Sequence, residues 1–122
     1  MKYLLLSYTP VSAWDTETAD TPTEDALAAF AAYQEFQDEL LASGELVATE
    51  GLGHPAVSVT VRASGGSVVA TDGPFAELKE VMASFAIIDV ASQERAVDIV
   101  SRIVAALGEP IEIRPIMGEE FA

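Results

Sequence analysis

The chain has 122 residues, half of them hydrophobic, which fits a single folded domain over residues 1–122. Its 20 acidic and 6 basic residues give a formal net charge of -14, and so acidic a surface makes nucleic acid and anionic membranes poor partners. The absence of cysteine excludes disulfides and thiolate metal sites and fits a reducing compartment. Since no apolar run approaches the ~20 residues of a membrane span, we predict a cytoplasmic protein.

The first part of the chain predicts a strand, a loop and the start of a helix. Residues 3–8 include three successive leucines, which is typical of a strand that is buried on both faces. The acidic loop that follows contains Trp14, interpreted either as a lid over the domain or as an aromatic wall over a ligand. Thr21, Pro22 and Glu24 then have the pattern of a helix start, with Thr21 as the cap.

The first helix is predicted to end at Ser43 and Gly44. Apolar side chains recur along it at helical spacing and are expected to face the core: Ala26, Phe30, Tyr33, Phe36 and Leu40. Tyr33 is also considered as a hydroxyl at a pocket edge. Residues 45–50 then predict a second strand.

The middle of the chain predicts a β-hairpin. Val57, Val59 and Val61 alternate with polar residues, so this strand is expected to have one apolar and one polar face. Residues 63–66 supply a turn, and residues 67–71 form the returning strand.

The second half predicts another strand, helix and strand. Residues 85–90 form an apolar strand, Ser92 caps a helix that ends near Gly108, and residues 111–116 form the last strand. The predicted buried face of this helix comprises Ala96, Val97, Val100, Ile103, Val104 and Leu107. In the last strand, Ile111 and Ile113 are expected on one face, with Glu112 and Arg114 on the other.

This order of elements predicts an α+β fold. It is a ferredoxin-like βαβ-βαβ sandwich with an inserted β-hairpin, an antiparallel sheet and both helices on one sheet face. Residues 4–6 and 85–88 are apolar at successive positions, so the uncovered face should be apolar as well. Because such a face rarely stays in water, we predict a homodimer that pairs the two sheet faces.

Residues 71–80 connect the hairpin to the next strand and contain candidate site residues. Asp72-Gly73-Pro74 has the composition of a turn, in which the Asp72 side chain bonds to the backbone two residues on. In the alternative interpretation, Asp72 is an acid at the mouth of a pocket and Phe75 is one wall. Lys79 either pairs with a neighbouring glutamate or binds an anionic group of a substrate.

His54 is the only histidine and lies between Gly53 and Pro55 in a loop. It is interpreted either as an exposed loop residue or as a general base paired with a carboxylate, with Asp72 as the first choice and Glu50 as the second. One histidine excludes a multi-histidine metal site within the chain, and no phosphate-binding or dinucleotide motif occurs. Neither a metal nor a cofactor is therefore predicted.

Arg114 is a cation on a predicted strand in a chain with few cations. It is expected to pair with Glu112 beside it or with Asp89 across the sheet. The functional alternative is that it binds a carboxylate in a cleft.

The stretch Asp72-Gly73-Pro74-Phe75-Ala76-Glu77, with Lys79-Glu80 and the strand end Ile88-Asp89-Val90, resembles the DGPF branch of the YCII-related family. Residues 1–6 and 113–117 are similar to that branch too. The resemblance implies the same ferredoxin-like fold and a dimeric α/β-barrel arrangement. It also implies a small organic molecule bound or transformed by cofactor-free acid–base chemistry, such as elimination or isomerisation.

In that chemistry His54 would be the base, Asp72 would orient it, and Arg114 or Lys79 would hold an anionic group. Proteins resembling the branch often accompany alternative sigma factors, so a non-catalytic sensor or regulatory module is the competing hypothesis. The chain departs from the family at two places. Residues 9–24 lack the histidine of the broader family, and Ala83-Ser84 replaces a glycine pair of the branch, which narrows the space for a ligand.

Overall fold

The protein is described by a computed structural model that covers residues 1–10, 23–76 and 79–118. Within these ranges the chain forms strands and helices with the following bounds: β1 (Lys2–Pro10), α1 (Glu24–Ser43), β2 (Leu46–Gly51), β3 (Val59–Ser64), β4 (Ser67–Asp72), β5 (Glu80–Asp89), α2 (Gln93–Leu107) and β6 (Ile111–Pro115). A short 3-10 turn, Pro55–Val57, precedes β3.

The main sheet has four antiparallel strands in the order β2-β5-β1-β6. With the element order along the chain, this is the predicted ferredoxin-like α+β fold. Strands β3 and β4 form a separate two-stranded sheet, inserted between β2 and β5 in the chain.

The core lies between the two helices and one face of the main sheet. Its buried members are Tyr3, Leu5, Leu46, Ile88 and Val90 from the sheet and its end, and Phe36, Leu40, Ala96, Ile99, Val100 and Ile103 from the helices. The strand register explains this set, because Tyr3 lies opposite Ile88 and cross-strand neighbours share a face. Ile111 and Ile113 pack against the same core, as predicted.

The opposite face of the sheet is apolar at its centre. Leu4 lies opposite Ile87, and Leu6 lies opposite Phe85. Glu112 and Arg114 lie on this face too, since Leu6 pairs with Glu112 and Leu4 pairs with Arg114. The two central strands are therefore apolar on both faces, as the runs of leucine and isoleucine predicted.

The predicted start of α1 is wrong. The helix begins at Glu24, and its cap is Thr23 instead of Thr21: the Thr23 hydroxyl oxygen accepts a hydrogen bond from the Ala26 N–H at 3.1 Å. Phe30 is half exposed, and within this helix only Phe36 and Leu40 are buried. The 3.6-residue period indicates which side of a helix faces the core, but it does not indicate how far along the helix the core extends.

The predicted buried face of α2 is partly wrong. Val97 and Leu107 are 46% and 43% exposed, whereas Ile99, absent from the prediction, is fully buried. The buried side chains at positions 96, 99, 100 and 103 follow the i, i+3, i+4, i+7 spacing of one helix face, and Val97 and Leu107 lie beside it. The helix ends were predicted correctly, with Ser92 as the N-cap and Gly108 at the C-terminus.

Strand β5 begins at Glu80, five residues earlier than predicted. Because β1 continues to Pro10, Val81 and Met82 have partners in Thr9 and Tyr8. The register shifts between Ser7 and Tyr8, so that Ala83 is an extra residue on β5, as in a β-bulge.

The valines of the hairpin differ from the prediction in their position and in their exposure to solvent. Val57 belongs to the 3-10 turn instead of β3, and Val59 and Val61 are each about 60% exposed. The alternation of valine with polar residues therefore predicted the strand correctly, but not a buried face.

A two-pronged ion pair joins the start of α2 to the start of β2. Arg95 donates from Nε to Glu45 Oε2 and from NH2 to Glu45 Oε1, each at 2.9 Å. These hydrogen bonds lower the pKa of the Glu45 carboxyl. The Glu45 carbonyl also accepts from the Asp89 N–H at 2.8 Å, so the pair lies where helix and sheet meet.

We expect Glu45→Gln to lower the free energy of unfolding near neutral pH by about 0.5–1 kcal/mol, since two-pronged pairs are the strongest of the exposed ion pairs. The folded pKa of Glu45 lies below its ordinary value of 4.5, so this stabilisation is present above that value. It is lost as the pH falls through the folded pKa. Urea unfolding from about pH 7 down to about pH 2.5 measures the difference.

The control variant is Glu112→Gln, which breaks the more exposed pair with Arg114 and should change stability less. A difference between wild type and Glu45→Gln that stays constant down to the lowest pH would contradict the prediction.

Candidate functional site

A hollow lies at the base of the hairpin. Its volume is about 560 Å³. Five segments line it: the loop after β2, the 3-10 turn, the start of β3, residues 74–76 and the start of β5. Small-molecule sites in proteins usually measure about 300–1,000 Å³ and are mainly apolar with a few polar groups. The hollow fits that description: its apolar lining includes Leu52, Val57, Val59, Phe75, Val81 and Met82, and its polar lining includes His54, Ser58 and Thr60.

The His54 ring has a fixed orientation in this lining. His54 is the N-cap of the 3-10 turn, and its Nδ1 accepts a hydrogen bond from the Ala56 N–H at 3.0 Å. A ring nitrogen that accepts carries no proton, so the neutral imidazole has its proton on Nε2. The ring is therefore a hydrogen-bond donor at Nε2 as long as this capping bond is kept.

Asp72 closes the hairpin and does not line the hollow. It is the last residue of β4 and lies opposite Val59. The next residue, Gly73, donates its N–H to the Ser58 carbonyl at 2.7 Å, and its own carbonyl accepts from the Thr60 hydroxyl at 2.8 Å. The Asp72-Gly73-Pro74 segment thus forms a turn, held by the Ser58 carbonyl and the Thr60 hydroxyl on either side of Val59, the residue opposite Asp72.

Phe75 lines the hollow, and Arg62 contacts it. The Arg62 NH2 donates to the Phe75 carbonyl at 2.6 Å, and the guanidinium lies 4.5 Å from the centre of the Phe75 ring. A cation over an aromatic face is attracted by the ring quadrupole, which favours this position for a ring that is otherwise 74% exposed. No sequence pattern singled out Arg62, which lies on a strand predicted to have one apolar and one polar face. The scarcity of cations was the signal that singled out Arg114, and it applied equally to Arg62.

Three other residues considered in the sequence, Lys79, Glu50 and Arg114, do not line the hollow. Lys79 is exposed just before β5, and Glu50 is exposed on β2 opposite Phe85. Arg114 pairs with Glu112 on β6, which is separated from β2 by β5 and β1. Trp14 lies outside the described residues. Of the predicted set, the hollow therefore brings together His54 and Phe75.

Two further properties concern the described residues only. They contain no group of three or more histidine or acidic side chains placed to hold a metal ion. None of the helices in this part of the chain is long and apolar enough to cross a membrane.

The fold and the hollow define a class of protein: a small ferredoxin-like α+β domain with an inserted hairpin and a ligand-sized space at the hairpin's base. A family model for the YCII-related domain matches residues 1–120. An uncharacterized protein of Rhizobium meliloti is 34% identical over 101 residues, which cover 80% of this chain and 76% of that protein. The chain belongs to the YCII-related domain family, and its assignment to the DGPF branch stays a prediction.

The turn at the hairpin base depends on Gly73, whose φ of +109° is rarely adopted by residues with a side chain. We expect Gly73→Ala to destabilise the protein by about 1–3 kcal/mol and to speed amide exchange in β3 and β4. Gly53→Ala is the matched control, since a Cβ there would meet only Val57 Cγ2 at an ordinary 3.6 Å. Equal stabilities of the two variants in urea unfolding would refute this role of Gly73.

Proposed function

We propose that this protein binds a small, mainly apolar organic molecule with a hydrogen-bond acceptor in the hollow at the hairpin base. The observation that carries the proposal is the hollow itself: a volume of about 560 Å³ with an apolar lining and the oriented His54 ring. An apolar pocket with few, well-placed polar groups is the usual form of a small-molecule site.

The polar groups indicate what the ligand carries. Ser58 places a hydroxyl in the lining, and a hydroxyl can donate a hydrogen bond to a carbonyl oxygen. The net charge of -14 disfavours an anionic ligand over a neutral one. We therefore propose a neutral carbonyl compound whose apolar body rests against Phe75.

Acid–base turnover by His54 and Asp72, such as elimination or isomerisation, is the more specific form of the proposal. To act as a base at Nε2, the His54 ring must change tautomer and give up its capping bond to the Ala56 N–H. Asp72 and its turn are then assigned to orienting the hairpin strand beside the ring.

A non-catalytic sensor or regulatory module in the cytoplasm, acting with a sigma-factor stress response, is the second candidate. One observation favours it. Among the described lining residues of the hollow, His54 is the only titratable group, while acid–base enzymes usually place two such groups at the reacting atoms.

We further propose that the protein is a homodimer through the uncovered sheet face. Leu4 on β1 and Phe85 and Ile87 on β5 are partly exposed apolar side chains on the sheet face opposite the helices, and Leu6 beside them is already buried. Burying the exposed side chains against a second copy removes apolar area from water, which is the main driving force of such association.

The ligand proposal is tested with acetophenone and, as the analogue without a carbonyl, toluene. Protein NMR is expected to show saturable shifts at His54, Ala56 and Phe75 with acetophenone. Ser58→Ala removes a hydroxyl that can donate to the carbonyl, so affinity for acetophenone should fall about tenfold. Phe75→Ala should weaken both compounds.

Thr71→Val is the control, because Thr71 lies opposite Thr60 in the hairpin but outside the hollow. Shifts confined to other parts of the protein, or equal affinities of wild type and Ser58→Ala for acetophenone, would refute the assigned site.

The dimer proposal is tested by sedimentation velocity. Ile87→Asp places a charge in the centre of the proposed interface and should weaken dimerisation by about tenfold or more. Leu27→Asp is the matched control, since Leu27 is a 56% exposed leucine on α1. A monomeric wild type, or a dimer unaffected by Ile87→Asp, would rule out this interface.

A further inference from the structure

A second cavity opens between the helices and the sheet, lined by a different set of residues from the hollow. Its volume is about 110 Å³. The lining residues that matter here are Ser7, Tyr33, Ser84, Ala86, Ile103 and Glu109. We refer to this cavity as the helix–sheet cleft.

The helix–sheet cleft changes from polar to apolar along the paired strands. Ser7 lies opposite Ser84 at one end, and Leu5 lies opposite Ala86 one step deeper. A small extension of about 20 Å³, also lined by Leu5 and Ala86, continues toward Leu40 and Ile99. A ligand in the cleft is thus offered hydroxyl groups at one end and hydrocarbon at the other.

Glu109 supplies a carboxylate at the polar end. The Thr9 hydroxyl donates to its Oε2 at 3.1 Å. Within the described part of the chain, the ion pairs are made by the carboxylates of Asp89, Glu45 and Glu112, and no cation pairs with Glu109. An ionised carboxylate only accepts hydrogen bonds and has about four lone-pair directions, so Glu109 retains the capacity to bind a donor.

Tyr33 forms the wall contributed by α1. Its side chain is half buried, and this burial raises the pKa of the phenol. The hydroxyl therefore stays protonated and neutral, so it adds a polar contact to the cleft without adding a second negative charge.

We propose that the helix–sheet cleft binds a small primary amine with an apolar tail, with the ammonium group at Glu109 and the tail between Ala86 and Ile103. Three observations point to this class of ligand. The carboxylate is at the polar end, the hydrocarbon is at the deep end, and the net charge of -14 attracts cations. In size the cleft approaches the ~150 Å³ cavity that holds benzene in another protein.

The side chains of Ala83 and Ser84 limit the size of this ligand. Both line the cleft at the bulge of β5, where a residue without a side chain would leave more room. An amine with a single small ring or a short alkyl chain is therefore the expected occupant.

The experiment titrates benzylamine, and benzyl alcohol as its neutral counterpart, into the isotope-labelled protein. Benzylamine is expected to shift the amides of Ser84, Ala86 and Ile103 and to bind about tenfold more tightly than benzyl alcohol, since an ionic hydrogen bond is stronger than a neutral one. Glu109→Gln should remove this preference and leave the binding of benzyl alcohol unchanged.

Two further variants separate the cleft from nonspecific attraction. Glu35→Gln removes the same charge from the exposed side of α1 and should leave the preference for the amine intact. Ala86→Val reduces the apolar space and should weaken both compounds. The proposal is overturned if benzylamine does not bind, if its shifts fall at His54 and Phe75, or if Glu35→Gln and Glu109→Gln weaken it equally.

Discussion

The central pair of strands, β1 and β5, is the interaction on which the other features of the protein depend. Their register sets Tyr3 against Ile88 on the side of the helices and Leu4 against Ile87 on the opposite side. Because successive side chains of a strand point to opposite faces, the same backbone pairing produces both the core and the apolar centre of the opposite face. A register slip of one residue would exchange these two surfaces. The core and the proposed dimer interface therefore both arise from strands β1 and β5, in which apolar residues occupy successive positions instead of alternating with polar ones.

The bulge at Ala83 divides β5 between two cavities. Val81 and Met82, before the bulge, line the hollow at the hairpin base, while Ser84 and Ala86, after it, line the helix–sheet cleft. The Ala83 carbonyl accepts from the Leu52 N–H at 2.8 Å, which joins the loop before His54 to the same point. An extra residue in one strand redirects the side chains that follow it. One local irregularity in the sheet thus accounts for the placement of both candidate sites.

The candidate site was only partly predictable. The composition of Asp72-Gly73-Pro74 indicated a change of chain direction, and the chain bends at Gly73, because glycine and proline restrict the backbone locally. Phe75 lines the hollow, and its role as a wall against a ligand stays a prediction. Arg62, which holds Phe75, was not recognised, since the two are separated by 13 residues and meet only through the hairpin. Arg114 was expected to pair with Glu112 or Asp89, with a ligand carboxylate as the alternative, and it pairs with Glu112 on the edge strand β6.

The sequence by itself determined the elements and their order, the helix-ending glycines, the apolar character of both sheet faces and, from these, the ferredoxin-like class. These properties depend on residue types and on apolar periodicity within a short stretch of sequence. The tertiary structure alone decided that β5 extends back to Glu80, that Ile99 instead of Val97 is buried, and that the His54 ring caps a turn with its Nδ1. Each of these depends on contacts with residues that are distant in the sequence, and a local sequence pattern does not specify such contacts.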